Sequence, residues 1–287
     1  MAVDRREFVV GSAHVGGRGG VGALDGALEI VERVFEVTET REIVRVGADG
    51  VVRILGQCFP DDVVAVTEAL GCPSISYTYS EPVAFYEYTQ DTCKLARQHQ
   101  LRNIVVTCGS IEERPARELY QLVDAAHLDL KGFDEDIYKK LNSGKLAAIL
   151  ATLKVLKDLG VWVEIINLVV PTYTDDIDTI RRMCGWILKE AGPDQPLHFS
   201  RFHPQHKLAH LTPTPVETLV KARDAARTEG LHYVYIGNVP GLEGAETTWC
   251  PNCKQAIVER DIFAVTRMDI ADGKCRFCGT KIAGVWS

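Results

Sequence analysis

Four cysteines near the C-terminus have the spacing of a metal site. They form two C-x-x-C pairs, with 21 residues between the second cysteine of one pair and the first of the next: Cys250, Cys253, Cys275 and Cys278. Each C-x-x-C turn can direct two thiolates at one ion, and two turns together give a closed tetrahedral set. Zinc is the first expectation, although rubredoxin-like iron or an iron–sulfur cluster uses the same ligands. Because four thiolates leave no open coordination position, we expect a structural role.

Polar residues and glycines stand at the expected ends of six successive β-rich runs. They are S-Y-T-Y-S-E-P (76–82), V-T-C-G (106–109), D-L-K-G-F (129–133), Asn167 with Pro171, S-R-F-H-P (200–204) and G-N-V-P-G (237–241). Any one of them is most simply a solvated or salt-bridged loop. Six in succession indicate a cleft for a polar, phosphate-free small molecule with amine and carboxylate groups.

The elements that would position these residues alternate between strand and helix. The predicted strands are 74–79, 103–107, 126–130, 162–170, 197–202 and 232–237. Between them, apolar residues recur at helical spacing in 85–99, 145–160 and 177–192. We expect Gly160 to end the second of these helices, and Thr174 with Asp175 to cap the third. Strand–helix–strand units of this length predict an α/β fold with a parallel sheet and right-handed crossovers.

Six such strands fit an incomplete (β/α) barrel, and a flat doubly wound sheet is the structural alternative. In either architecture the working site lies at the C-terminal ends of the strands. The last segment, 241–287, has too few apolar residues to form a core alone, so we expect it to depend on a metal.

The N-terminal part does not continue this pattern. Residues 27–42 have the composition of one helix, and 42–56 the pattern of a β-hairpin that turns at Ala48-Asp49-Gly50. Gly17–Gly22 formally matches the dinucleotide motif G-x-G-x-x-G, but no strand runs directly into it. A flexible glycine linker is the better interpretation.

Composition restricts the class of protein. The formal net charge of −7 argues against broad attraction to nucleic acid or anionic lipid. No apolar run approaches the roughly 20 residues that span a bilayer, and the N-terminus lacks the apolar region of a signal peptide. We therefore expect a cytoplasmic protein with a small-molecule cofactor and neither nucleic-acid nor membrane binding. A protein substrate or partner stays open.

Several motifs together resemble one family. They are YTYSEPVAFYEY, DLKGFDEDIYKKL, GVWVEIINLVVP, HFSRFHP, TPTPVETL, YVYIGNVPG and CPNC…CRFCGTKIAGVW. From about Pro60 to the C-terminus, the chain resembles the radical S-adenosylmethionine (SAM) protein of the AmmeMemoRadiSam system. That group is related to the activating enzymes of pyruvate formate-lyase and other glycyl-radical enzymes. The resemblance implies a partial TIM-like barrel of the (β/α)6 type over 43–240, followed by a four-cysteine tail over 241–287, with 1–42 outside the family pattern.

The resemblance also implies site residues. Thr78, Ser80 and Glu81 match positions that bind the methionine amino group of SAM. The segment from Asp129 to Lys131, with His203, matches positions that line the cofactor's carboxylate and the substrate mouth. Val169–Pro171 and Gly237-Asn238 match segments that pack around the adenosyl group. No catalytic residue is assigned.

One departure from the family concerns its chemistry. Members hold a [4Fe–4S] cluster through C-x3-C-x2-C after the first strand, and SAM chelates the open iron. This sequence has no such triplet. Val51–Leu55 could be the first strand, with the loop after it reduced to the single Cys58. Alternatively, everything before Pro60 is unrelated to the family. Cys108 also replaces the asparagine of a T-N-G segment. Cys58 and Cys108 together would supply two thiols, fewer than a cluster needs. We therefore expect the isolated chain not to cleave SAM, with a non-catalytic SAM-binding or scaffold module as the alternative.

Overall fold

The computed structural model describes residues 8–12, 35–36, 43–46, 51–55, 58–261 and 264–286. The strands are β1 Phe8–Ser12, β2 Phe35–Glu36, β3 Ile43–Val46, β4 Val51–Leu55, β5 Ser74–Tyr77, β6 Arg102–Thr107, β7 Ala125–Asp129, β8 Trp162–Val169, β9 Leu197–Arg201, β10 Val234–Gly237, β11 Thr248–Trp249, β12 Ala256–Asp261, β13 Ala264–Met268, β14 Ile270–Ala271 and β15 Lys274–Cys275. The helices are α1 Pro60–Ala69, α2 Tyr86–Gln98, α3 Glu113–Tyr120, α4 Glu135–Asn142, α5 Leu146–Asp158, α6 Ile177–Ala191 and α7 Val216–Glu229.

The chain divides into two compact units. The first consists of Met1–Thr107 and Arg114–Ala126, and the second of Cys108–Glu113 and His127–Ser287. No helix within the described ranges is long and apolar enough to cross a bilayer.

The N-terminal strands form an antiparallel sheet in the order β1-β4-β3-β2. The predicted hairpin is confirmed, since β3 pairs antiparallel with β4. The suggestion that Val51–Leu55 is the first strand of the barrel is wrong, because β4 pairs antiparallel on both sides, with β1 and with β3. The helix predicted for 27–42 lies mostly outside the described residues, and Phe35–Glu36 within it is a strand paired with β3. The glycine motif at 17–22 also lies outside them.

The six predicted barrel strands are all present. They form one sheet in the order β5-β6-β7-β8-β9-β10, and the pairs β5–β6, β8–β9 and β9–β10 are parallel. A doubly wound sheet reverses its order at a switch point. The strictly sequential order here is that of successive βα units in a partial barrel. The α/β class and the partial barrel are confirmed.

Alternation along each strand gives the sheet two different faces. In β8, for example, Val163, Ile165, Asn167 and Val169 are buried, while the residues between them are half-buried. Because successive side chains point to opposite faces of a strand, this pattern separates an apolar face from a more accessible one. The accessible face of β8 and β9 carries the polar side chains described below.

Two helix ends test the predicted caps. Gly160 has φ +74° just beyond α5, and the Val161 amide donates to Leu156 O at 3.0 Å, as expected for a glycine that ends a helix. The predicted Thr174-Asp175 cap of α6 is wrong. Asp176 is the N-cap, with its Oδ1 accepting from the Thr179 amide at 2.8 Å. Thr174 Oγ1 instead accepts from the Val170 amide at 2.8 Å, which holds the loop after β8.

The C-terminal cysteine segment is a small β-ribbon in the second unit. It contains the sheet β11-β12-β13 and the hairpin β14-β15. Its apolar residues share one cluster with Tyr233, and the Ile236 amide of β10 donates to Ala245 O at 3.0 Å. Because β10 is an edge strand of the parallel sheet, the ribbon covers backbone groups that would otherwise be open to pairing with another chain.

Candidate functional site

The four ribbon cysteines converge on one point. Their sulfur atoms all lie within 4.8 Å of one another. Cys250 Sγ and Cys278 Sγ are 3.6 Å apart, and Cys253 Sγ and Cys275 Sγ are 3.7 Å apart. With metal–sulfur bonds of about 2.3 Å, the edge of a thiolate tetrahedron is about 3.8 Å. The sulfur positions therefore fit a single four-coordinate ion.

Both C-x-x-C segments use the same backbone turn. The Lys254 amide donates to Cys250 O at 3.0 Å, and the Gly279 amide to Cys275 O at 2.8 Å. The residue after each second cysteine has positive φ, +60° at Lys254 and +75° at Gly279. Such a turn brings the two cysteines of each pair together, which is why the spacing alone predicted the cluster.

One of the four ligands, Cys278, has surroundings that favour the thiolate. Cys250 and Cys275 are buried, whereas Cys278 is exposed. Thr280 Oγ1 lies 3.3 Å from Cys278 Sγ, and hydrogen bonding to Thr280 lowers the pKa of that thiol to about 6. A thiolate at Cys278 is the form in which it binds a metal.

In the first unit, the end of β5 forms a polar turn. Thr78 and Ser80 are half-buried and line a small cavity beside β5. Glu81 Oε1 accepts from Thr107 Oγ1 at 2.5 Å, which links the turn after β5 to the last residue of β6. Three of the predicted site residues therefore lie in one turn, with the Glu81 carboxylate fixed by a neighbouring strand.

In the second unit, the end of β7 carries an ion-paired carboxylate. Asp129 Oδ2 lies 3.2 Å from Lys131 Nζ, and Asp129 Oδ1 lies 3.2 Å from His127 Nε2. Burial alone would raise the pKa of Asp129, but hydrogen bonding from His127 and the charge of Lys131 outweigh it, so the pKa is lowered. The predicted residues Asp129 and Lys131 thus form one charged group.

Two other predicted residues of this unit, His203 and Asn238, lie at strand ends and are exposed. His203 is exposed just after β9, and Asn238 is exposed just after β10, where its Nδ2 lies 3.4 Å from Arg201 O. Asn167 is not at a strand end. It lies within β8 on the buried face, and its Nδ2 donates to Leu130 O at 2.7 Å.

The remaining cysteines do not form a second ligand set. All nine cysteines fall within the described residues, and the ribbon group is the one set of three or more ligands that these residues bring together. Burial raises the pKa of Cys93 and Cys184 to about 12 and also raises that of Cys72, so these three thiols pack as small apolar groups. The thiols of this chain therefore do not fit a cluster that needs three cysteines and leaves one iron open.

Sequence reasoning missed one pair on the accessible face of the second unit. Glu164 Oε2 of β8 lies 2.7 Å from His198 Nε2 of β9. The two residues are 34 positions apart, so only the pairing of β8 with β9 brings them together. The signal available in the sequence was a glutamate within β8, whose other residues apart from Asn167 are apolar.

Comparison with known proteins identifies the domain. Residues 59–184 match the model of the Radical SAM superfamily. The chain carries a radical SAM domain. An uncharacterized protein of Methanocaldococcus jannaschii is 47% identical over 225 residues, which are 78% of this chain and 66% of that relative. The chain thus spans about two thirds of that relative's length. The narrower assignment to the AmmeMemoRadiSam group stays a prediction.

Solved structures share the fold. A domain of the pyruvate-formate lyase-activating enzyme of Bacteroides vulgatus aligns with a TM-score of 0.50 at 15% identity, over 57% of this chain and 99% of that one. Streptococcus suis SuiB with its precursor peptide SuiA aligns with a TM-score of 0.53 at 9% identity, over 66% of this chain and 44% of SuiB. At these identities the likeness concerns the radical SAM barrel alone.

Proposed function

We propose that this radical SAM protein is of the activating-enzyme type and binds S-adenosylmethionine at the C-terminal ends of its strands. The family match over 59–184 supports this, as does the donor chemistry of the strand ends. A carboxylate at Glu81 suits the methionine ammonium, and cationic Lys131 suits the carboxylate.

The other assigned residues have side chains that suit the same cofactor. Thr78 and Ser80 add hydroxyl acceptors for the ammonium group, and His203 adds a donor for the carboxylate. Asn238 contributes to the adenosyl end. In the family, reductive cleavage of bound SAM supplies a 5′-deoxyadenosyl radical that abstracts hydrogen. A peptide or protein substrate is part of the proposal, because SuiB holds a precursor peptide.

The isolated chain, on this proposal, does not cleave SAM. The observation that carries this is the placement of all nine cysteines: four converge in the ribbon, and three of the other five, Cys72, Cys93 and Cys184, are buried thiols with raised pKa. On this proposal no open iron chelates SAM, and we expect SAM to bind more weakly than it does to cluster-bearing relatives.

The ribbon, on the same proposal, binds one zinc ion in a structural role. Sulfur separations of 3.6 and 3.7 Å support one tetrahedral ion, and four thiolates leave no position for a substrate. The apolar cluster that joins the ribbon to Tyr233 would then depend on the metal.

Calorimetric titration of the zinc-loaded chain with SAM tests the binding site. Because hydrogen bonds to charged groups contribute about 1.5–3 kcal/mol, Glu81→Gln and Lys131→Met should each weaken SAM binding about tenfold or more. The matched control is Glu118→Gln, which removes an exposed carboxylate paired with Arg114 and should leave binding unchanged. Equal affinity in all four proteins, or no binding at millimolar SAM, would contradict the proposed site.

A further inference from the structure

The Glu164–His198 pair is not part of the SAM site proposed above. It lies on the accessible face of β8 and β9 in the second unit, where Ile166 is the register partner of His198 and Glu164 is two residues earlier on the same face. The His198 side chain is 29% exposed and that of Glu164 is 44% exposed. The pair is thus partly enclosed but open to a ligand.

Neighbouring groups hold both members in place. Trp162 Nε1 donates to Glu164 Oε1 at 3.3 Å, so each carboxylate oxygen has its own donor. The His198 ring stacks on Tyr235 of β10, with centroids 4.8 Å apart and planes inclined by 24°. The Tyr235 hydroxyl lies 3.0 Å from Thr248 Oγ1, to which Arg260 of the ribbon also donates at 3.0 Å.

These contacts determine which imidazole nitrogen is available. Burial alone would raise the pKa of Glu164, but hydrogen bonds from His198 and Trp162 outweigh it and the pKa is lowered. An ionised carboxylate only accepts hydrogen bonds, so His198 Nε2 must carry a proton. Among the described residues Nδ1 has no hydrogen-bond partner. Nδ1 therefore presents a lone pair, the arrangement in which a carboxylate orients a histidine as a base.

We propose that Glu164 and His198 form a proton-accepting dyad, in which Nδ1 takes a proton from the O–H or N–H group of an uncharged ligand bound on this face. The bond from the ligand's oxygen or nitrogen to hydrogen breaks and Nδ1–H forms. The resulting imidazolium is stabilised by Glu164 through Nε2–H. An uncharged ligand suits the site because Tyr235, the ring that packs against His198, is itself uncharged, and the Tyr235 hydroxyl faces the uncharged Thr248.

Diethyl pyrocarbonate, which acylates unprotonated imidazole nitrogen, is the probe. Nδ1 attacks one carbonyl and the ethoxycarbonyl group is transferred to it; the ring then loses its Nε2 proton, and the leaving ethyl carbonate takes up a proton as it breaks down to carbon dioxide and ethanol. Mass spectrometry of proteolytic peptides gives the rate at each histidine in one sample. His99 and His232 are matched comparators, since each also contacts a carboxylate, Glu68 at 2.9 Å and Asp194 at 2.8 Å, and each is more exposed.

We expect His198 to be modified at least as fast as both comparators, although it is less exposed. Glu164→Gln keeps an acceptor oxygen but removes the charge, and it should slow modification of His198 at least threefold without changing the other two. Side-chain nitrogen NMR should show the proton of neutral His198 on Nε2. An unreactive His198, a rate unchanged by Glu164→Gln, or a proton on Nδ1 would overturn the proposal. Folding of the variant is checked by its thermal midpoint.

Discussion

Gly109, just after β6, is held in a conformation and a space that only glycine fits. Its φ is +70°, and a Cβ atom there would lie 2.6 Å from Leu128 Cδ1 and 3.2 Å from Thr152 Cγ2. Both neighbours are buried, and Thr152 Oγ1 donates to Gly109 O at 2.7 Å. Gly109→Ala therefore adds two costs, one from the backbone and one from the contact with Leu128.

The two costs can be estimated and measured separately. A left-handed conformation costs a residue with Cβ about 1–2 kcal/mol, and overpacking a buried site costs about 1–3 kcal/mol. We expect Gly109→Ala to lower the free energy of unfolding by about 2–5 kcal/mol. Gly160→Ala is the matched control, because Gly160 has φ +74° and, its chain neighbours aside, none of the described residues has an atom within 4 Å of its Cβ position. It should cost about 1–2 kcal/mol.

Urea unfolding followed by circular dichroism gives both values, provided that the dependence of the unfolding free energy on urea concentration is the same in each variant. Leu128→Ala removes the closest contacting atom, so in that background Gly109→Ala should cost less than it does in the wild-type background, although the 3.2 Å approach to Thr152 Cγ2 remains. Equal losses for Gly109→Ala and Gly160→Ala in the wild-type background would refute the packing argument.

Two further predictions concern the ribbon and the end of β7. Gly279→Ala should destabilise the zinc-loaded ribbon by about 1 kcal/mol, and Lys254→Gly should stabilise it slightly, because both positions have positive φ. Thermal denaturation measures both, and a stabilising Gly279→Ala or a destabilising Lys254→Gly would contradict the shared turn. Asp129 has a lowered pKa in the folded protein, so its contribution to stability is complete above its ordinary value of 3.8 and is lost as the pH falls below it. Lys131→Met should raise the pKa of Asp129 in an NMR titration, and the protein should then lose less unfolding free energy as the pH falls. An unchanged pKa of Asp129 in this variant would contradict the ion pair.

The barrel was largely predictable because its strands are short, rich in β-branched residues and separated by amphipathic helices. The ribbon cysteines were predictable because the C-x-x-C spacing strongly favours a turn that brings the two cysteines of each pair together. Val51–Leu55 was misjudged since an antiparallel and a parallel strand share one local pattern, and only pairing with β1 and β3 distinguishes them. Asp176 caps α6 in place of Thr174, because the Thr174 hydroxyl already accepts from the Val170 amide in the loop after β8.

The Glu164–His198 pair depends on strand register, which no local pattern contains. Alternation places each residue on a face of its own strand, but not opposite a particular partner. The same applies to Glu81 and Thr107, which are joined across the ends of β5 and β6. Residue types at strand ends could therefore be predicted, whereas their pairings could not.

Metal analysis tests the central claim most directly. Iron, acid-labile sulfide and zinc are measured per chain after anaerobic purification and cluster reconstitution, with Cys250→Ser and Cys278→Ser as variants of the ribbon site. We expect one zinc with negligible iron and sulfide, and loss of the zinc in both variants. About four iron and four sulfide per chain beside the zinc would contradict the account, because the thiols of this chain would then hold a cluster after all.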